Sequence, residues 1–316
     1  MIFSRSKQLG VYFFLLICGT ASAFSQSESE KQRIRTVAIP ISIFTKEELA
    51  QGQTEELLQV ERIIVNENNK EAQILSIRSR TDVPLSLAIL IQDDLTSDFN
   101  LQLKDLAKFV EQLPKGTRVM VAYMRAGSLD VRQKFTDDLS KAAGSFRVVF
   151  GDANAAPRSP YDSVSEALNR FDALPTGRRA ILVVSNGIDL SSGGAASTPG
   201  SSLDLDVAIR KAQKKNVAVY AIYGTGASGN GARLGVLNGQ ASLAVLADET
   251  GGRLFTSGST TPINFEPFLK QLNVLLGRQF LLTYISENVK KGYYKVEVKS
   301  TNPGVKIEHP KGYFYR

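Results

Sequence analysis

The chain has 316 residues, 43% hydrophobic and 22% charged, with a formal net charge of +7. That apolar content is ample for a packed core. One cysteine (Cys18), one histidine (His309) and no tryptophan exclude a disulfide framework and a thiolate or histidine metal site.

Arg5 and Lys7 open the chain, followed by an apolar run from Val11 to Cys18 and then Ala21-Ser22-Ala23. A basic region, a short apolar region and an A-x-A site are the layout of a secretory signal peptide, residues 1–23. The apolar run is short for a membrane span; an uncleaved anchor is the alternative. Ile17 stands where a small residue would precede a lipidated cysteine, which counts against lipidation of Cys18. Cleavage removes two basic residues and no acidic one, so the net charge falls from +7 to +5. The remaining basic residues are scattered, which predicts solubility and no nucleic-acid footprint. The mature chain is expected to be secreted or periplasmic, with no membrane span.

Residues 24–35 are polar and read as a disordered leader. Val37, Ile39, Ile41 and Ile43 alternate with smaller residues, a half-buried strand that Pro40 places at an edge or bulge. Glu61 to Val65 and Ala72 to Ile77, joined by Asn66–Lys70, read as a hairpin. From Leu85 the pattern becomes strands separated by helices. Strands are predicted over 85–91, 117–124, 131–135, 180–184, 217–223 and 253–256. Helices are predicted over 99–113, 161–171, 203–214, 241–250 and 265–276. Ser191–Ser202 and Gly224 to about Gln240 read as long loops. From Gln279 the period returns to two, with strands at 280–284, 294–298 and 313–315. The expected fold is α/β, a Rossmann-like doubly wound and mostly parallel sheet over 84–278. A small β-sandwich is expected from the terminal segments 36–83 and 279–316.

Leu87 to Ile91 is continuously apolar, so it reads as a central strand buried on both faces. Such a strand delivers Asp93, Asp94, Thr96 and Ser97 to the carboxyl edge of the sheet, where open α/β sheets bind ligands. All four carry oxygen, the ligand type preferred by hard cations such as Mg²⁺. The competing reading is that Asp93 and Asp94 cap a loop by accepting backbone N–H bonds.

These residues resemble the von Willebrand factor type A (VWFA) domain, and more narrowly the secreted "VWFA-related" proteins of Acidobacteria. Gln92-Asp-Asp-Leu-Thr-Ser97 is similar to the family's Asp-x-Ser-x-Ser, and Ile181-Leu-Val-Val-Ser-Asn-Gly-Ile-Asp189 to its strand followed by Ser-Asp-Gly. Gly292–Lys299 and Lys311–Phe314 are similar to the closing segment of the Acidobacterial group. The resemblance implies a non-enzymatic, protein-binding domain with a metal-ion-dependent adhesion site, where Mg²⁺ or Mn²⁺ is completed by a partner's carboxylate. Carried over by position, its metal ligands are Asp93, Ser97, Ser159 and Asn186. Leu95 replaces a serine and Asn186 an aspartate, so the site is degenerate; Asp94-x-Thr96-x-Asp98 is a second register. Losing one carboxylate removes roughly 8 kcal/mol of attraction for a dication at 4 Å, before desolvation offsets most of it.

Two further readings belong to other classes. A domain with no metal site would serve as a structural module of the cell envelope. Gly224-Thr-Gly-Ala-Ser-Gly229 matches a dinucleotide fingerprint, but no helix is predicted to begin at those glycines. His309 reads as a surface residue with no partners for a catalytic triad. The pairs Glu47-Glu48 and Asp137-Asp138 read as solvated faces rather than acid/base dyads.

Overall fold

The computed structural model describes residues 34–54, 62–79, 83–126, 128–175, 177–193, 196–227 and 233–315. The expected signal peptide and nearly all of the expected leader lie outside those residues. Strand β1 (Arg35–Thr45) leads into α1 (Lys46–Gln51). A reciprocal cap starts this helix: Glu48 N donates to Thr45 Oγ1 at 3.1 Å, and Thr45 N to Glu48 Oε2 at 3.0 Å. Glu48 is therefore no solvated face residue; it is fully buried and takes a 2.9 Å hydrogen bond from Arg278 Nε. Strands β2 (Ile63–Glu67) and β3 (Lys70–Ala72) form a hairpin in the expected region, but with a tighter turn: residues 66, 67 and 70 are in the strands, and most of the expected second run, 74–77, belongs to the next strand. Asn68 and Asn69 hold φ of 48° and 67°, the left-handed pair that a two-residue turn between twisted strands requires. One residue on, β4 (Ile74–Arg78) leaves that sheet for another.

The α/β unit then runs β5 (Leu85–Gln92), α2 (Leu103–Glu111), β6 (Arg118–Arg125), β7 (Ser128–Thr136), α3 (Leu139–Ala143), α4 (Pro160–Asn169), β8 (Arg178–Ser185), α5 (Leu203–Lys215), β9 (Val217–Tyr223), α6 (Arg233–Thr250), β10 (Leu254–Phe255) and α7 (Glu266–Gly277). Its strands lie in the order β10-β9-β8-β5-β6-β7. All neighbours are parallel except β6 and β7. Every residue of β5 is buried, as its unbroken apolar run predicts. Leu87, Ile89 and Ile91 face α2 and α7; Ala88 and Leu90 face α4, α5 and α6. Each buried Leu or Ile contributes about 2 kcal/mol gross.

Helix α6 starts at Arg233, not near Ala241 as the polar, glycine-bearing sequence suggests. Gly235 and Gly239 sit inside it and are buried. Gly239 is needed because the helix axis passes hard against the Asn186 carbonyl, leaving no space for a Cβ. The short α3 carries only two buried alanines and leaves no periodic signature in the sequence.

The chain closes with β11 (Gln279–Ser286), β12 (Gly292–Ser300), β13 (Val305–Glu308) and β14 (Gly312–Tyr315). These join the N-terminal strands in two sheets, β13-β1-β11-β4 and β14-β12-β2-β3. Ile39, Ile41, Leu282 and Tyr284 from one sheet and Val65, Val296, Val298 and Tyr313 from the other share one apolar core. Bordering it, the Glu67 carboxylate, 4% exposed, accepts from Tyr284 Oη (3.1 Å), Ser286 Oγ (2.6 Å), Asn288 Nδ2 (2.6 Å) and Tyr313 Oη. β13 pairs only with Ser42–Thr45, so Pro40 lies beyond the end of that pairing. His309 is partly buried rather than a surface residue. Its Nε2 accepts from Val298 N at 3.2 Å, which leaves Nδ1 to donate to the Pro310 carbonyl at 2.9 Å.

Candidate functional site

The chain runs outward from β5 to β6 and β7, then returns to β8 on the other side of β5. This reversal sets the carboxyl ends of β5 and β8 side by side at the switch in strand order, the place where doubly wound sheets bind ligands. It brings residues 93–97 beside Ser185-Asn186-Gly187, as the sequence motifs require.

Asp93 is 6% exposed, and both of its oxygens are engaged by cations. Arg125 Nε lies 2.9 Å from Oδ2, and Arg147 Nη1 donates to Oδ1 at 2.7 Å. Arg147 also approaches Asp130 at 3.5 Å and lies 4.0 Å over the Tyr123 ring. Its hydrogen bond to Asp93 holds the guanidinium above its ordinary pKa. The Tyr123 hydroxyl fixes the same residue from the backbone, donating to the Arg147 carbonyl at 2.7 Å and accepting from its N–H at 2.8 Å.

Asp94 turns the other way, to the β8 side. Its Oδ1 accepts from Gln92 Nε2 at 2.6 Å. Gln92 in turn accepts from Ser185 Oγ at 2.5 Å and from Asn186 N at 3.2 Å. Asn186 Oδ1 is occupied by Ile188 N at 2.9 Å. A Cβ on Gly226 would lie 3.2 Å from Asp94 Oδ2 and hard against Asn186 Nδ2, so Asp94, Asn186 and Gly226 form one packed group. Thr96 donates its hydroxyl to the Thr225 carbonyl at 3.3 Å, while Ser97 is exposed at the start of a 3₁₀ turn, Ser97–Gln102. Ser159 begins α4 with its hydroxyl buried and without a hydrogen bond among the described residues.

Of the positions singled out by sequence, Asp94 and Asn186 meet, whereas Asp93 faces two arginines. This donor set does not fit Mg²⁺ or Mn²⁺, which demands near-ideal coordination by oxygens. Asp93 offers a dication two guanidiniums, Leu95 offers no oxygen, and the Gln92 and Asn186 carboxamides are committed to protein donors. Among the described residues, no group of three or more His, Cys, Asp or Glu is placed to hold a metal ion. The glycine motif is likewise committed to packing. A Cβ on Gly224 would touch Leu95 Cδ2 at 3.1 Å, and Gly226 is wedged as above. Gly229 lies outside the described residues.

Sequence reasoning missed what surrounds this edge. Asn100 clamps Val149 from both sides, Nδ2 to the carbonyl and Oδ1 to the N–H, each at 2.8 Å. Gln102 spans the loop after β10, donating to the Ile263 carbonyl at 2.9 Å and accepting from Phe265 N at 3.1 Å. Thr225 and Thr261 exchange reciprocal N–H to Oγ1 bonds at 2.8 and 2.9 Å. The three loops are fixed, yet they leave Leu101, Phe150 and Ile263 exposed at 75%, 81% and 95%. Gln92 is detectable in principle as the polar last residue of a buried strand, and Arg125 as the residue ending β6 at the same edge. Arg147 and Phe150 carry no such signal.

No family model and no curated relative matches the sequence. Among solved structures, the chain is similar to an aerotolerance-related membrane protein from Bacteroides fragilis with multiple mutations to serines. The identity is 14% over 61% of this chain and 98% of that one, with a TM-score of 0.44. BatB from Bacteroides thetaiotaomicron gives 12% identity over 60% of this chain and 95% of that one, with a TM-score of 0.39. Proximal thread matrix protein 1 from the mussel byssus, with a zinc-occupied MIDAS motif, gives 15% identity over 65% of this chain and 48% of that one, with a TM-score of 0.42. The doubly wound α/β fold is defined by the strand order and pairing of the chain itself.

Proposed function

We propose that the chain is a VWFA-type, non-enzymatic protein-binding domain that works outside the cytoplasm and grips a partner at the carboxyl edge without a metal ion. The observation that carries this reading is the set of apolar side chains displayed there on clamped loops. Leu101, Phe150 and Ile263 face solvent, although the backbone beside each is held by side-chain amide or hydroxyl groups. A rigid loop that exposes a large apolar side chain loses little entropy on binding, and such residues are the usual anchors of an interface. Arg125 and Arg147, held by the buried Asp93, supply the polar rim beside the patch. In this reading Arg147 takes the position that a cation would hold beside Asp93.

The test is capture from an envelope fraction, with the wild-type chain against Phe150→Asp/Ile263→Asp. Both positions are exposed, so the double variant is expected to keep its circular dichroism and melting transition while losing the captured partner. Calorimetry with Mg²⁺ and Mn²⁺ is expected to give no saturable heat below millimolar concentration. Release of the partner by EDTA, or sub-millimolar binding of either ion, would restore the metal-dependent adhesion site and sink the metal-free version.

A further inference from the structure

A second candidate site lies away from the carboxyl edge, where α5 passes the terminal strands. Because α5 follows β8 and precedes β9, its last turns descend toward the amino edge of the sheet. A cleft of about 800 Å³ opens there between α5, the first residues of β1 and strand β14. Its volume lies within the range of ordinary ligand sites. None of the described residues that line it is acidic.

The charge of this cleft is not neutralised from within. Arg35, Arg210, Lys211 and Lys214 all line it. Arg210 pairs with Asp206 along the helix, and the neighbouring Lys215 pairs with Asp172. Lys211 and Lys214 have no carboxylate within ion-pair distance among the described residues. Burial, and then repulsion from Lys215, pushes the Lys211 ammonium below its ordinary pKa, with Asp172 opposing the shift only in part. The Arg35 guanidinium carbon lies over the Tyr315 ring at 4.0 Å and the Tyr313 ring at 4.9 Å, with its Nε donating to the Asn288 carbonyl at 2.5 Å.

The cleft also presents unpaired backbone. Thr36, Val37 and Ala38 are consecutive lining residues, so an edge of β1 faces the opening rather than one side of its pleat. β11 pairs with this stretch on one side; on the other, β13 begins only at Ser42, and no described strand pairs with residues 35–41. β14 is itself the last strand of its sheet. Exposed strand edges are templates for an added strand.

We infer that this cleft binds an acidic peptide segment in extended form, which adds as a strand at the β1 or β14 edge and sets its carboxylates against Lys211 and Lys214. The free edges favour a peptide over an anionic glycan or polyphosphate, since neither of those can pair with backbone N–H and C=O groups in strand register. The site is separate from the carboxyl-edge patch and does not depend on it.

The probe is a fluorescein-labelled peptide of alternating Glu and Val, read by fluorescence anisotropy against the whole chain. Saturable binding that weakens with added salt is expected, with none by the Lys/Val counterpart. Lys211→Gln/Lys214→Gln is expected to weaken binding about tenfold with an unchanged melting transition. A second arm leaves the protein intact: the same Glu/Val peptide methylated on alternate backbone nitrogens keeps its charge, loses its strand donors, and is expected to bind about tenfold more weakly. Equal binding of the methylated peptide, or tighter binding of heparin or polyphosphate, would overturn the strand-addition proposal. Failure to bind the Glu/Val peptide at all would do the same.

Discussion

Two buried carboxylates divide the labour in this molecule differently. Asp93 stands at the end of the central strand, and two arginines whose heads reach solvent neutralise it. Glu67 lies between the two terminal sheets, where hydroxyls and an amide satisfy it and no cation touches it among the described residues. Asp93 sits in a run that looks like a metal site; Glu67 sits in a hairpin with no motif around it. The contrast teaches that a carboxylate's role follows from the donors its fold delivers, not from the residues beside it in the chain. An ion pair at a rim is replaceable by water, whereas a ring of neutral donors in a core is not.

The largest effect should come from Glu67→Ala. It strands the hydroxyls of Tyr284, Ser286 and Tyr313 and the Asn288 amide, and separates β2 from β11 and β14. We expect a loss of about 4 kcal/mol in urea denaturation, from several unsatisfied donors at about 1–3 kcal/mol each with partial relaxation. Glu67→Gln should cost about 2 kcal/mol, because its NH₂ replaces an accepting oxygen with a donor where all four neighbours now donate, so the hydroxyls must turn to accept it. Equal cost for both variants would mean that volume, not acceptance, is what Glu67 supplies.

Asp93→Ala should cost less, about 2 kcal/mol. Breaking a fully buried pair costs about 3–5 kcal/mol, but Arg125 is half exposed and its guanidinium regains water once released. Added Mg²⁺ should change neither the wild-type nor the variant midpoint. A loss as large as that of Glu67→Ala would break the comparison, and a Mg²⁺-dependent midpoint would reassign Asp93 as a ligand.

Much of the fold is legible in the sequence because burial writes itself into periodicity. The unbroken apolar run of β5 marks a two-sided strand, Asn68-Asn69 marks a tight turn, and the alternation after Gln279 marks the sandwich. Where one residue serves two masters, the reading fails. The glycines of α6 look like loop residues because they are selected for contact with the Asn186–Gly187 turn rather than for helix propensity. Glu48 looks solvated because its partner, Arg278, is 230 residues away. At the candidate site the strand end was visible, but the ligand reading of Asp93 depended on distant cations. Arg147 arrives from a loop whose sequence has no period at all.

His309 gives the smallest effect and the cleanest sign. Burial, its leading influence, lowers the imidazole pKa below its ordinary value, and Nε2 must stay unprotonated to accept from Val298. The unfolded chain therefore takes up the proton first, near pH 6.5, so stability is complete above that pH and declines as pH falls toward the folded value. Glu308 acts in the opposite sense, since burial raises its pKa and the folded state takes up its proton first. The wild-type curve alone mixes the two. Subtracting the curve of His309→Gln, which keeps a side-chain acceptor and removes the titration, isolates the histidine. The difference should be flat above about pH 7, and the wild-type advantage should shrink steadily as pH falls below about 6.5. A flat difference throughout would mean that the ring is hydrated in the folded chain, and that the β12–His309 contact contributes nothing to holding the closing strands together.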